Sequence, residues 1–363
     1  MLRQRLSRLE FTDIFVYLLG AFIIGVVLVG TILTIVQGKY APRAWFDLVL
    51  FGLTLGSIYS LIALGYTLVY GILRMINFAH SEVFMSGPYV AYFLATGLGA
   101  SGFIDQNPVV ALLLIFVVAM SASTGIAILV ERLAYRPLRH APRLVPLITA
   151  IGMSFFLQYT FYMLFGPNLK VYPQVSSLST SFQFGCNIVD GKTLCDFQIT
   201  YIQIFVMAAA GLLMLGLHQF VQRTKVGKAM RAVSEDRETA ALMGINVNQI
   251  IVITFALGGA LAGAAGVLYV LVFNQVSAFM GFLPGLKAFT AAVLGGIGNI
   301  PGAMVGGLFL GVVESIGPIL FLDSLGVAAP YQLKDAVAFT MLVLVLIFRP
   351  SGILGEKLTE KKA

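Results

Sequence analysis

Ile250-Ile-Val-Ile-Thr-Phe-Ala-Leu-Gly-Gly-Ala-Leu-Ala-Gly-Ala-Ala-Gly-Val-Leu-Tyr-Val-Leu-Val-Phe273 runs for 24 residues without a charged side chain. About 20 apolar residues in helical form cross the hydrocarbon core of a bilayer. Its glycines at 258, 259, 263 and 266 suit close helix packing in lipid. Working outward, nine more apolar segments follow the same reading: Phe15–Val36, Phe46–Leu73, Val83–Ala95, Val109–Val130, Leu144–Phe165, Tyr201–Val221, Leu283–Leu294, Met304–Phe321 and Ala336–Phe348. Hydrophobic residues make up 59% of the 363-residue chain and charged residues 11%, with a mean hydropathy of +0.93. Soluble domains are nearer 45–50% apolar and about 25% charged. A cytosolic enzyme, a secreted disulfide scaffold and a disordered chain are therefore excluded. A transmembrane β-barrel would show short alternating segments. The expected fold is all-α, a polytopic transmembrane bundle of about ten segments including broken helices.

The net charge of +7 has a membrane explanation. Lys and Arg concentrate in cytoplasmic loops. With the N-terminus inside, 17 of the 23 cations fall on the cytoplasmic side. Lys39, Arg43, Lys170, Lys192, Lys287 and Lys334 fall outside. Ten segments then place both termini in the cytoplasm. No basic run is interleaved with aromatics, so no nucleic-acid partner is expected. Two cysteines and three scattered histidines form no metal-site pattern. Phe15–Val36 exceeds a signal-peptide core of roughly 7–15 residues and reads as a retained helix. The chain divides into an arm and extra helix (1–45), a transmembrane domain (46–348) and a cytoplasmic tail (349–363).

Two interruptions stand out, Arg74–Glu82 and Gly295–Gly302. Irregular backbone at membrane depth needs cover from protein or a water-filled cavity. Paired breaks in two halves point to a transport site between repeats. Gly65-Tyr-Thr-Leu-Val-Tyr-Gly71 and Gly266-Val-Leu-Tyr-Val270 faintly echo each other five segments apart, as an inverted repeat would. Asn77, His80, Glu82, Gly295, Gly296, Asn299 and Glu314 are the candidates for a translocation path. A buried ionised side chain costs roughly 2.5–3.5 kcal/mol on insertion scales and so faces a pathway or a partner. Glu82 capping its break or pairing with Arg74, and Glu314 pairing inside the bundle, are the favoured alternatives.

The long loop 222–249 carries most of the cytoplasmic chemistry. Ser234 reads as an N-cap, Glu235 and Asp236 suit a helix N-terminus, and Gly244 suits a left-handed close. A helix over about Glu235–Met243 is expected, too short to be stable without a docking partner.

Glu238-Thr-Ala-Ala-Leu-Met-Gly244 resembles the Glu-Ala-Ala-x-x-x-Gly loop of permeases of ATP-binding-cassette importers. Gly65-Tyr-Thr-Leu-Val-Tyr-Gly-Ile-Leu-Arg-Met-Ile-Asn-Phe-Ala-His80, Ala292-Val-Leu-Gly-Gly-Ile-Gly-Asn-Ile-Pro-Gly-Ala-Met-Val-Gly-Gly307 and Arg349-Pro-Ser-Gly-Ile-Leu-Gly355 resemble the branched-chain amino acid permease family, in particular its H-type subunit. The likeness covers roughly residues 46–355. It implies an inner-membrane subunit importing branched-chain or other neutral amino acids, with amides or urea as alternative cargo. It also implies a related second permease, two cytoplasmic ATPase subunits and an external binding protein. Glu235, Asp236, Arg237, Glu238, Ala240, Ala241 and Gly244, within a 234–246 loop helix, would then couple to the ATPase. The chain has no phosphate-loop motif, so no cofactor is expected on it and ATP belongs to the partners. Ser81 stands where the family has glycine. The loop 166–200 is long and holds Cys186 and Cys195, which with Asp190-Gly191 as a turn signal could close a disulfide-linked hairpin on the outer side. A secondary carrier would match the helix count and the breaks, but would not need the exposed loop. His80–Ser81–Glu82 alone is a poor basis for an enzyme.

Overall fold

The computed structural model describes residues 11–139, 141–142, 144–189, 192–349 and 351–355. Arg3, Arg5, Arg8, Arg143, the Asp190-Gly191 turn and the tail lysines lie outside them. Twelve helices carry the architecture: α1 Phe11–Gln37, α2 Pro42–Leu73, α3 His80–Ala100, α4 Pro108–Val130, α5 Leu144–Phe165, α6 Tyr201–Arg223, α7 Lys225–Glu235, α8 Arg237–Leu242, α9 Val247–Phe273, α10 Phe282–Gly295, α11 Ile300–Gly317 and α12 Lys334–Phe348. Among the described residues nine spans are long and apolar enough to cross a membrane; α10, at 14 residues, falls short. All ten expected segments are present as helices.

The core is built on α2 and α9, most of whose residues are buried, whereas the described part of α1 is largely exposed. The Ile72 carbonyl at the end of α2 accepts from Arg237 in the loop leading into α9. The two central helices therefore run antiparallel. Around them the packing repeats: α3 and α4 stand on α9, while α10 and α11 stand on α2. The triplets α2-α3-α4 and α9-α10-α11 are thus an inverted pair.

Both central helices end alike. Arg74 and Asn274 each sit at φ 55°, donating N–H to Tyr70 O (2.8 Å) and Val270 O (2.7 Å). Each chain then turns back into the bundle before the next helix starts. This corrects the expected pairing of breaks: the counterpart of 74–79 is 274–281, not Gly295–Gly302. Asn274-Gln-Val-Ser-Ala-Phe-Met-Gly281 reads as an outer loop in sequence because its apolar residues are too few and too interrupted by Asn274, Gln275 and Ser277 to register as a membrane segment. Glu82 lies inside α3 rather than in the break.

Small residues set the helix spacing. A Cβ on Gly311 would run into the backbone of Gly52 and Gly56, so α11 and α2 meet backbone to backbone, and Ser60 Oγ donates to Met304 O at 2.8 Å across them. Gly295 and Gly296 lie against the tail: Ile353 and Leu354 N–H donate to Leu294 O (2.8 Å) and Gly295 O (3.0 Å). Asn299 caps α11 through Gly302 N–H and donates to Leu354 O at 2.8 Å.

At the periphery α1 docks on residues 318–325. Thr34 Oγ1 reaches Leu320 O (3.1 Å) and Ser324 Oγ (2.8 Å), and Lys39 pairs with Asp323 at 2.6 Å. In the long loop, β1 (Lys170–Val171) pairs antiparallel with β4 (Gln275–Val276), tying it to the end of α9. β2 (Ser181–Val189) and β3 (Lys192–Thr200) form the expected hairpin, with Cys186 and Cys195 directly opposed in register. Phe197 and Phe184 seat it on Phe46 at the start of α2, with centroids 4.9 and 6.0 Å away.

Candidate functional site

The N-termini of α3 and α10 meet inside the bundle. Gly281 and Gly285 lie directly on Ser81, where side chains would collide. Glu82, in the first turn of α3, is fully buried beside them. Its Oε1 accepts from Gln158 Nε2 (2.7 Å), Ser81 Oγ (3.1 Å) and Ser154 Oγ (3.2 Å). Its Oε2 faces Gly281 and has no hydrogen-bond partner among the described residues. Arg74 is not its partner; that guanidinium donates to Ser234 O at 3.0 Å. The crossing thus holds a carboxylate with one free oxygen between two helix N-termini, each the positive end of a dipole. Sequence reading missed Ser154 and Gln158. Their i,i+4 spacing on an otherwise apolar helix was the available signal.

The other candidates for the path disperse. Asn77 Oδ1 accepts from Tyr135 Oη at 2.6 Å. His80 fills the space above Gly65 and meets Tyr66 edge-on at 4.9 Å. Gly295, Gly296 and Asn299 are bound to the tail, as above. Glu314 pairs with Lys287 at 2.7 Å, and Lys287 also reaches Asp335 at 2.6 Å. Lys287 was expected outside. Instead it is buried in α10, because two carboxylates from α11 and α12 meet it there.

Loop 222–249 holds two helices, not one. Thr224 caps α7 by accepting from Gly227 N–H at 3.0 Å, and Gly227, Met230 and Val233 face inward. Ser234 is not a cap; it lies within α7 and donates to Arg231 O. Glu235 ends α7. Asp236 caps α8 instead, accepting from Glu238 N–H (2.9 Å) and Thr239 N–H (3.1 Å). Its carboxylate reaches the N2 and N3 donors from an extended backbone at φ −151°. Arg237 anchors α8 to α2 through the Ile72 carbonyl, at 3.0 and 2.5 Å. Burial first, then the nearby guanidiniums of Arg139 and Arg74, lower its pKa from the ordinary arginine value.

Ala240 is buried against the bundle, whereas Glu238 and Ala241 point outward. Gly244 sits at φ 82° and closes α8, its N–H donating to Ala241 O and that of Ile245 to Ala240 O. Leu242 and Met243, which sequence reading treated only as helix formers, are 88% and 79% exposed at the tip.

Comparison with known proteins identifies the family. Residues 48–346 match the family described as branched-chain amino acid transport system / permease component. The chain is 47% identical over 310 residues to the high-affinity branched-chain amino acid transport system permease protein BraD of Pseudomonas aeruginosa, covering 85% of this chain and 95% of that protein. It is 42% identical, with the same coverage, to the protein of that description called LivH in Escherichia coli K12. A probable LivH of Methanocaldococcus jannaschii is 30% identical over 297 residues, covering 81% of this chain and 88% of its own. The chain belongs to the branched-chain amino acid transport permease family.

Proposed function

We propose that this subunit forms, with a second and related permease, the path by which branched-chain or similar neutral amino acids enter the cell across the inner membrane. Two cytoplasmic ATPase subunits drive it and an external binding protein delivers the cargo. The observation that carries this reading is α8, a six-residue helix capped at both ends, anchored by Arg237 and offering Leu242 and Met243 outward. Such a helix has no stability of its own and suits docking into another protein. Glu235, Asp236, Glu238, Ala241 and Gly244 build or flank that surface, while Arg237 and Ala240 fasten it to the bundle. This division assigns force transfer to α8 through Ile72 at the end of α2. The chain binds no cofactor; ATP is used by the partners.

At the crossing, passage requires α3 and α10 to part, since Gly281 and Gly285 close on Ser81. A zwitterion released there would meet the free oxygen of Glu82 with its ammonium and the two helix N-termini with its carboxylate.

Both termini lie in the cytoplasm in this reading. A Leu242→Cys variant on a Cys186→Ala/Cys195→Ala background tests orientation and docking together. The thiol labels in inside-out vesicles stripped of ATPase subunits and is protected in the intact complex. Labelling by an impermeant maleimide in intact cells would reverse the orientation; labelling unchanged by the ATPase would remove the docking role.

Cys186 and Cys195 form a disulfide on the outer face. Directly opposed residues of an antiparallel pair have Cα atoms about 4.5–5.5 Å apart, inside the disulfide range. Thiol titration of denatured, unreduced protein from an oxidising compartment finds none; two free thiols would refute the bond.

A further inference from the structure

At the end of α4 the regular helix gives out. Glu131–Tyr135 forms a π-helical turn and Arg136–Leu138 a 3-10 turn, distortions that recur at functional sites. A cavity of about 240 Å³ opens beside them, lined by Arg132, Arg136, Arg139, Asn246, Asn248 and Gln249. Arg139 is held in place by the buried Glu131 and by Asn248 Oδ1. Glu131 is thereby neutralised. Arg132 and Arg136 have no acidic partner among the described residues. The third contribution is the N-terminus of α9, a 27-residue helix whose positive end opens into the same cavity beside its Asn246 cap.

We propose that this cavity is a binding site for a phosphate group. The neighbouring surface favours a phospholipid headgroup as its source. Leu129, Arg132, Leu133 and Arg136 along this distorted stretch are all exposed. Leu129 and Leu133 are 55% and 73% exposed, and Leu144 and Ile148 at the start of α5 are 70% and 69% exposed. Apolar surface of the kind acyl chains cover adjoins two guanidiniums that have no acidic partner among the described residues. That is the order of chemistries in a phospholipid, and basic pockets between membrane helices take anionic headgroups. Arginine forks fit phosphate oxygens in a bidentate manner.

The test uses the assembled importer, delipidated in neutral detergent and offered mixed micelles of phosphatidylglycerol or phosphatidylcholine, with bound lipid read by native mass spectrometry. The wild-type complex retains phosphatidylglycerol preferentially. Arg132→Gln/Arg136→Gln, both at exposed positions, weakens that retention about tenfold or more. A competition arm adds inorganic phosphate. Displacement only at high millimolar phosphate supports the headgroup, and displacement at micromolar phosphate supports the same site filled from solution. Unchanged retention of phosphatidylglycerol together with unchanged phosphate binding overturns the proposal. So does a variant whose sole defect is loss of the ATPase subunits, which would make the cavity a protein contact. The readout is binding, so it stands apart from whether the complex transports amino acids.

Discussion

Gly244→Val abolishes ATP-driven uptake while the membrane bundle still inserts and folds. At φ 82° a β-branched residue costs about 1–2 kcal/mol. Nothing lies within 4 Å of the position a Cβ would occupy, so the effect is conformational rather than steric. The cost falls on α8, whose six residues depend on two caps and the Arg237 anchor. Losing the close at Ala240 and Ala241 lets the tip fray and removes Leu242 and Met243 from their presented positions. Leu242→Asp gives the same defect without touching the backbone, and charge reversal at Glu238 gives a related one. Co-purification of ATPase subunits, uptake, and thermal stability in detergent separate the outcomes: assembly or uptake falls to background with stability little changed. Normal uptake with full assembly in all three variants would make 236–244 an ordinary solvated linker.

Lys287→Met is the most damaging single change expected within the membrane. Lys287 holds Glu314 at 2.7 Å and Asp335 at 2.6 Å, and lies 5.9 Å from the Tyr59 ring. Asp335 is 36% exposed and can regain solvent, but Glu314 is 1% exposed and cannot. Removing one partner of a buried pair costs about 3–5 kcal/mol, a large share of the roughly 5–15 kcal/mol that holds a typical domain together. α10 is short and enters the bundle from a break, and the contacts of Lys287 with Glu314 and Asp335 tie it to α11 and α12. Denaturation in detergent should show the loss, with most of it recovered in Lys287→Met/Glu314→Gln. Equal stability of Lys287→Met and the wild type would mean that the pair is not buried as described.

The helices were legible because apolar length alone decides them, and Ile250–Phe273 is within three residues of α9 at one end and coincident at the other. The turn at Gly244 was legible because few residues adopt positive φ freely. What escaped was set by tertiary partners. Lys287 reads as the edge of an outer loop until Glu314, 27 residues on, and Asp335 fold onto it. Residues 274–281 carry no local sign that they re-enter the bundle; the repeated helix packing and the shared left-handed ends at Arg74 and Asn274 reveal the match. Ser234 and Asp236 are both good capping residues, and the choice between them came from Val226, Met230 and Val233, whose spacing extends α7 through Glu235.

We propose that α8 transmits the motion of the ATPase subunits to this permease. The measurement that meets it most directly is uptake of radiolabelled leucine by proteoliposomes holding the complete complex, with binding protein outside and ATP sealed within. Accumulation should require ATP and the binding protein, and should vanish with Leu242→Asp. Leucine accumulation driven by an ion gradient without ATP, and unaffected by Leu242→Asp, would contradict it.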